Sequence, residues 1–214
     1  MTIRSTGGRV AAYAWFVFAV LNFVDLFAGV TGDPDYSATT FTIAFLLLLG
    51  CGIAYAVGLR PMIMGDDDAL TVRNPLRDVR VPWAAVRGIE GKNAVTVRFA
   101  GPDGTELETR AWVHQTSPRA QAKAEARAQK QARKSQGPTL DLRGRTPTGF
   151  VAQQLNEMRD RHRPKTKSGA PDKAAAARTE APARGTVTWS IPAVAALVVP
   201  LVAAIVTVVV STLS

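Results

Sequence analysis

Three long apolar runs constrain this chain more than any other feature. Val10–Val30 (VAAYAWFVFAVLNFVDLFAGV), Phe41–Leu59 (FTIAFLLLLGCGIAYAVGL) and Ile191–Val210 (IPAVAALVVPLVAAIVTVVV) hold 21, 19 and 20 residues. A helix of about 20 apolar residues crosses the hydrocarbon layer of a bilayer, so each run predicts a transmembrane helix. The apolar stretch of the first run exceeds the roughly 7 to 15 residues of a signal peptide, and no small-x-small cleavage site stands out before Asp33; a retained anchor is expected.

Charge placement sets the expected orientation, because basic residues beside spans stay on the cytoplasmic side. Arg4 and Arg9 precede the first run, the loop TGDPDYSATT carries no Lys or Arg, and Arg60, Arg73, Arg77 and Arg80 follow the second run. The expected protein is a multi-pass membrane protein. Its N-terminus is cytoplasmic, its first loop is outside, a cytoplasmic region of about 130 residues follows, and its C-terminus is outside. The single cysteine, Cys51, lies in the second run. It gives no disulfide framework and reads as a small buried residue.

Composition divides the chain into a two-helix hairpin (10–59), a strand-rich block (60–115), a basic segment (117–136), an amphipathic helix (146–163), a flexible linker (164–186) and the third span (189–212). In the strand-rich block, Leu70 and Val72, then Val79 and Val81, then Val95, Val97 and Phe99 alternate with Thr71, Arg80, Thr96 and Arg98. Period-two alternation predicts strands with the first set facing a core and the second facing water. Turn residues at Asn74–Pro75 and in GPDG at 101–104 separate them into an antiparallel meander. The segment SPRAQAKAEARAQKQARKSQ has strong helix formers but only alanine as an apolar residue, and predicts a solvated helix. In RTPTGFVAQQLNEMRDRHR, Thr146 suits a cap and Pro147 the first turn, while Phe150, Val151, Leu155 and Met158 form one apolar face. The linker is poor in aromatic and branched apolar residues.

The stretches LTVRNPLRDVRVPWAAVRGIE and NAVTVRFAGPDGTELETRAWV resemble the actinobacterial PH-like domain of low-molecular-weight membrane antigens. The likeness lies in a strand pair, a (I/V)PW step with further apolar residues, a strand and a Gly-containing turn. Two membrane helices commonly precede that domain, and the resemblance covers about residues 10 to 115. It implies a bent antiparallel β-barrel closed by a helix, for which Pro147–His162 is the candidate. The expected fold class is thus an α+β membrane protein, with three transmembrane helices and a small cytoplasmic PH-like antiparallel β-barrel capped by a helix.

Phosphoinositide recognition is disfavoured by the first strand-to-strand loop, GDDDA. A lipid-binding PH domain places several Lys and Arg there, since phosphate needs cationic donors, whereas Asp66, Asp67 and Asp68 repel it. Three consecutive Asp also lack the alternating spacing of a calcium loop. His114 and His162, the only histidines, stand in no metal-ligand spacing, and no phosphate loop or nucleophile elbow occurs. The expectation is a non-enzymatic protein with no cofactor and no catalytic or metal site. Trp83 and Trp112 read as core or edge anchors of the sheet.

Within the first two runs, Gly50, Ala54 and Gly58 form a small-xxx-small series that admits another helix, with the first helix as the obvious partner. Asn22 and Asp25 lie three apart on the first run and read as helix-contact residues, because a charge in the bilayer is costly. In the basic segment, Lys123, Arg127, Lys130, Arg133 and Lys134 are candidates for weak contact with anionic lipid or with a partner. Nucleic acid is disfavoured, since the segment has no aromatic residue for stacking. The leading functional expectation is a docking or scaffolding module held at the membrane, with an unidentified protein partner. The alternative is an accessory subunit of a transporter or envelope-synthesis complex, recruited through its transmembrane helices.

Overall fold

The computed structural model describes residues 1–113, 147–162 and 183–213. The chain divides into two compact units. One comprises Met1–Arg4, Met62–Asn74 and Asp78–Thr188; the other comprises Ser5–Pro61, Pro75–Arg77 and Trp189–Ser214.

The first unit is built on antiparallel strands. Strands β1 (Thr2–Arg4), β2 (Met62–Gly65), β3 (Ala69–Arg73), β4 (Arg77–Pro82) and β8 (Thr186–Trp189) form one sheet in the order β1-β2-β3-β4-β8, while β5 (Val86–Gly91), β6 (Val95–Ala100) and β7 (Glu106–Arg110) form a second. Both edges of the larger sheet thus come from residues beside a span, β1 just before the first and β8 just before the third. Neither segment was expected to be a strand. The register pairs Ile63 with Val72, Leu70 with Val81 and Val72 with Val79. All five side chains join Val95, Val97 and Phe99 in one core.

Instead of a single closed barrel, the hydrogen-bonded strands form these two sheets. The chain leaves the first at Pro82, turns through a short 3-10 segment at Trp83–Ala85 and begins β5 at Val86. Trp83 is buried in this corner, and its indole N–H donates to the Asp66 carbonyl at 2.8 Å. Further polar links hold the sheets together elsewhere. Asn74, after β3, donates from Nδ2 to the Arg110 carbonyl at 3.0 Å, and its Oδ1 accepts the Trp112 N–H at 2.9 Å. The Gly185 N–H, just before β8, donates to the Ala100 carbonyl at 2.7 Å. A Cβ at Gly185 would strike the Phe99 ring and approach Val81, so this strap needs glycine.

Helix α3 (Pro147–His162) lays Val151, Ala152 and Leu155 into the same core. Phe150, expected on this apolar face, is instead exposed. Two polar pins set the helix rotation: Thr148 Oγ1 donates to the Lys92 carbonyl at 2.6 Å, and Asn156 Nδ2 donates to the Ile89 carbonyl at 3.0 Å. Gly91 permits the approach, since a Cβ there would meet the Thr148 carbonyl and the Ala152 methyl. Thr71 also departs from expectation. It is buried, with its hydroxyl unpartnered. It lies on a central strand, paired with Met64 on one side and Arg80 on the other, and directly opposite side chains on neighbouring strands lie close enough to cover a short one.

The second unit is helical. Helix α1 (Thr6–Ala28) is capped by Ser5, whose Oγ accepts the Gly8 N–H at 3.2 Å, and ends at Gly29 in the left-handed region, φ 64°. Helix α2 (Ala38–Ile53) is capped by Ser37 and continues as a π-helical turn, Ala54–Leu59. Helix α4 (Ile191–Leu213) contains Pro200. The three helical stretches, Thr6–Ala28, Ala38–Leu59 and Ile191–Leu213, are long and apolar enough to span a membrane.

Candidate functional site

The acidic turn between β2 and β3 is closed by its own first carboxylate. Asp66 Oδ1 accepts the N–H groups of Asp68 at 3.0 Å and Ala69 at 2.6 Å, which occupies it in the manner of an Asx turn. Arg80 Nη1 lies 3.8 Å from Asp66 Oδ2. The C-terminal end of α3 rests beside the turn. The His162 ring stacks on Trp83, centroids 5.8 Å apart and planes 8° apart, and its Nε2 lies 3.9 Å from Asp67 Oδ1. Nδ1 of His162 is 2.8 Å from the Met158 carbonyl. The Asp66 carboxylate closes the turn and that of Asp67 faces the end of α3, and the turn presents no cluster of cations for a phosphate. Among the described residues no group of three or more His, Cys, Asp or Glu is gathered for a metal ion.

A bent antiparallel core with a Trp-anchored corner and an acidic first turn is now defined. Residues 61–131 match the family model of the Bacterial PH domain. The match covers β2 to β7, and the described elements β1, α3 and β8 lie outside it. Comparison with curated proteins and with solved structures found no match. The chain thus joins a region similar to the Bacterial PH domain to three helices long and apolar enough to span a membrane.

The helical unit carries its own polar features at the start of its third apolar helix. The Arg77 guanidinium lies over the Trp189 ring, 4.4 Å from its centroid, and the Ser190 N–H donates to the Leu76 carbonyl at 2.8 Å. Arginine and tryptophan favour the headgroup level, so this pair suits a membrane interface. Sequence reasoning counted Arg77 for orientation and gave Trp189 no role. The signal that would have found the pair is a Trp immediately before an apolar run.

The small-residue series shows close helix approach. A Cβ at Gly58 would lie 2.6 Å from the Gly8 carbonyl oxygen and 2.7 Å from the Ala12 methyl, and one at Gly50 would strike the Trp15 ring. Between α1 and α2 these residues, with Ala11, Ile53, Ala54 and Val57, line an apolar cavity of about 370 Å³. Asn22 and Asp25 have local partners. Asn22 Nδ2 donates to the Phe18 carbonyl one turn back at 2.8 Å, and Asp25 Oδ1 accepts the Thr31 N–H at 2.9 Å and its hydroxyl at 2.8 Å. These bonds satisfy polar groups within the α1 segment and the loop that follows it.

Trp112, expected as an anchor of the sheet, is about half exposed at 49%. The basic residues Lys123, Arg127, Lys130, Arg133 and Lys134 lie outside the described residues, as do His114, Thr146 and residues 164–182 of the linker.

Proposed function

We propose that this chain is a non-enzymatic inner-membrane protein that presents its PH module to the cytoplasm as a docking or scaffolding surface for another protein. The observation that carries the reading is the acidic β2–β3 turn. Asp66 is committed to closing that turn, and Asp67 and Asp68 add negative charge where a phosphate ligand needs cations. With that loop unsuited to phosphoinositides, the module's remaining resource is its folded surface. The two edge strands support the holding role: β1 ends two residues before α1 begins, β2 starts three residues after the second span ends, and β8 ends two residues before α4 begins. Such short connections hold a module at the membrane instead of letting it range on a linker. Since all three connections belong to one sheet, they also favour one membrane side for the three span ends, in line with the arginines at positions 4, 9 and 60.

The test is affinity capture from membranes. The full chain is compared with a variant whose first two spans are replaced by an unrelated hairpin, keeping residues 1–4 and 62 onward. Docking through the module predicts the same captured protein in both. Loss of that protein on replacing the spans would favour recruitment through the transmembrane helices, as for an accessory subunit of a transporter or envelope-synthesis complex.

A further inference from the structure

The exposed Trp112 lies in a part of the PH module that the docking reading does not use. Alternation past β7 buries Ala111 and Val113 and leaves Arg110 and Trp112 exposed on the opposite side. Both flank Asn74, which holds the Trp112 N–H at 2.9 Å and donates to the Arg110 carbonyl at 3.0 Å. Arg73, the residue before Asn74, is also exposed, with Asp78 at 3.9 Å as an ion-pair partner. Two residues after Asn74 comes Leu76, whose carbonyl accepts the N–H of Ser190 at the start of α4. Two residues reach at most about 7 Å, and that is the length of chain between Asn74 and Leu76.

We infer that Arg73, Arg110 and Trp112 form a lipid-contact patch that rests on the anionic interface of the bilayer. The chemistry fits that occupant. Tryptophan partitions to the interface, where its ring is shielded and its N–H stays wet, and arginine binds phosphate esters through its planar fork. The Debye length at physiological salt, about 8 Å, is comparable with the tether, so the patch senses the surface charge. The inference is separate from the docking reading, since a module can rest on lipid and still offer its other faces to a protein.

The test uses the full chain in liposomes with Trp15 and Trp189 replaced by phenylalanine. Fluorescence is compared with that of the same protein carrying Trp112→Phe as well, so that the difference reports Trp112 free of the buried Trp83. Lipids brominated at shallow acyl positions should quench this difference signal in mixed phosphatidylglycerol–phosphatidylcholine bilayers. Quenching should be lost in phosphatidylcholine alone and lost in the Arg110→Glu variant. An unquenched Trp112 in the anionic bilayers would overturn the inference and leave the indole as a contact for water or protein. Equal quenching in both lipids would overturn the charge-directed part of it.

Discussion

Gly52 of α2 lies directly against the carbonyl oxygen of Ala196 in α4. Ala196 is the residue four before Pro200, and proline has no N–H to give to that carbonyl. The helix is thus short of one internal bond at the point where another helix carries a bare Cα. A Cα–H can approach such an oxygen, and in hydrocarbon an unmet carbonyl is costly. Gly52→Leu is expected to part the two helices and lower the thermal midpoint of the detergent-solubilised protein. Gly7→Leu, at a position with nothing within 4 Å of an added Cβ, is expected to leave it unchanged. Equal effects from the two would refute a specific contact at Gly52.

Trp83 links the acidic turn, the corner between the sheets and the end of α3. Trp83 is only 3% exposed, so Trp83→Ala should cost about 3 to 5 kcal/mol. Trp83→Phe should cost less, about 1 to 3 kcal/mol, chiefly from leaving the Asp66 carbonyl unmet. Chemical unfolding followed by circular dichroism gives both values. A free energy unchanged by the alanine variant would show that the ring is not part of the core.

Gly185 packs its Cα against Phe99 and Val81 while donating to Ala100. A Gly185→Val substitution should force these side chains apart at a cost of about 1 to 3 kcal/mol. Protection of the β6 amides from hydrogen exchange should fall with it. Unchanged protection would mean that the strap is not a working part of the module.

These three sites differ in how far the sequence revealed them. The alternation of Leu70, Val72, Val79, Val81, Val95, Val97 and Phe99 was readable because each strand repeats its period enough times to be seen. Strands β1 and β8, of three and four residues, are too short for any period. Their partners stand about sixty and a hundred residues away in the sequence, and nothing local announces such pairing. Thr71 was misread because alternation shows which face a side chain takes and not whether its neighbours shield that face. Phe150 was misread because the helix is rotated by Thr148 and Asn156, two polar residues that an apolar-face reading ignores. In the hairpin, the four-residue spacing of Gly50, Ala54 and Gly58 was visible, while Gly52 lies off that series and needs the position of Pro200 on another helix.

The orientation inferred from the arginines has a direct check. In a Cys51→Ser background, a cysteine at Ser37 should react with an impermeant thiol reagent added to whole cells, and one at Ser135 should not. Labelling at Ser135 with none at Ser37 would invert the arrangement.

Docking through the module is tested most directly by photocrosslinking in living cells. A photoreactive residue is placed either at Phe150, exposed on α3, or at Val199, exposed on α4. The account predicts a discrete protein adduct from Phe150 and none from Val199, which it assigns to lipid. A protein adduct from Val199 with none from Phe150 would contradict it and assign recruitment to the transmembrane helices.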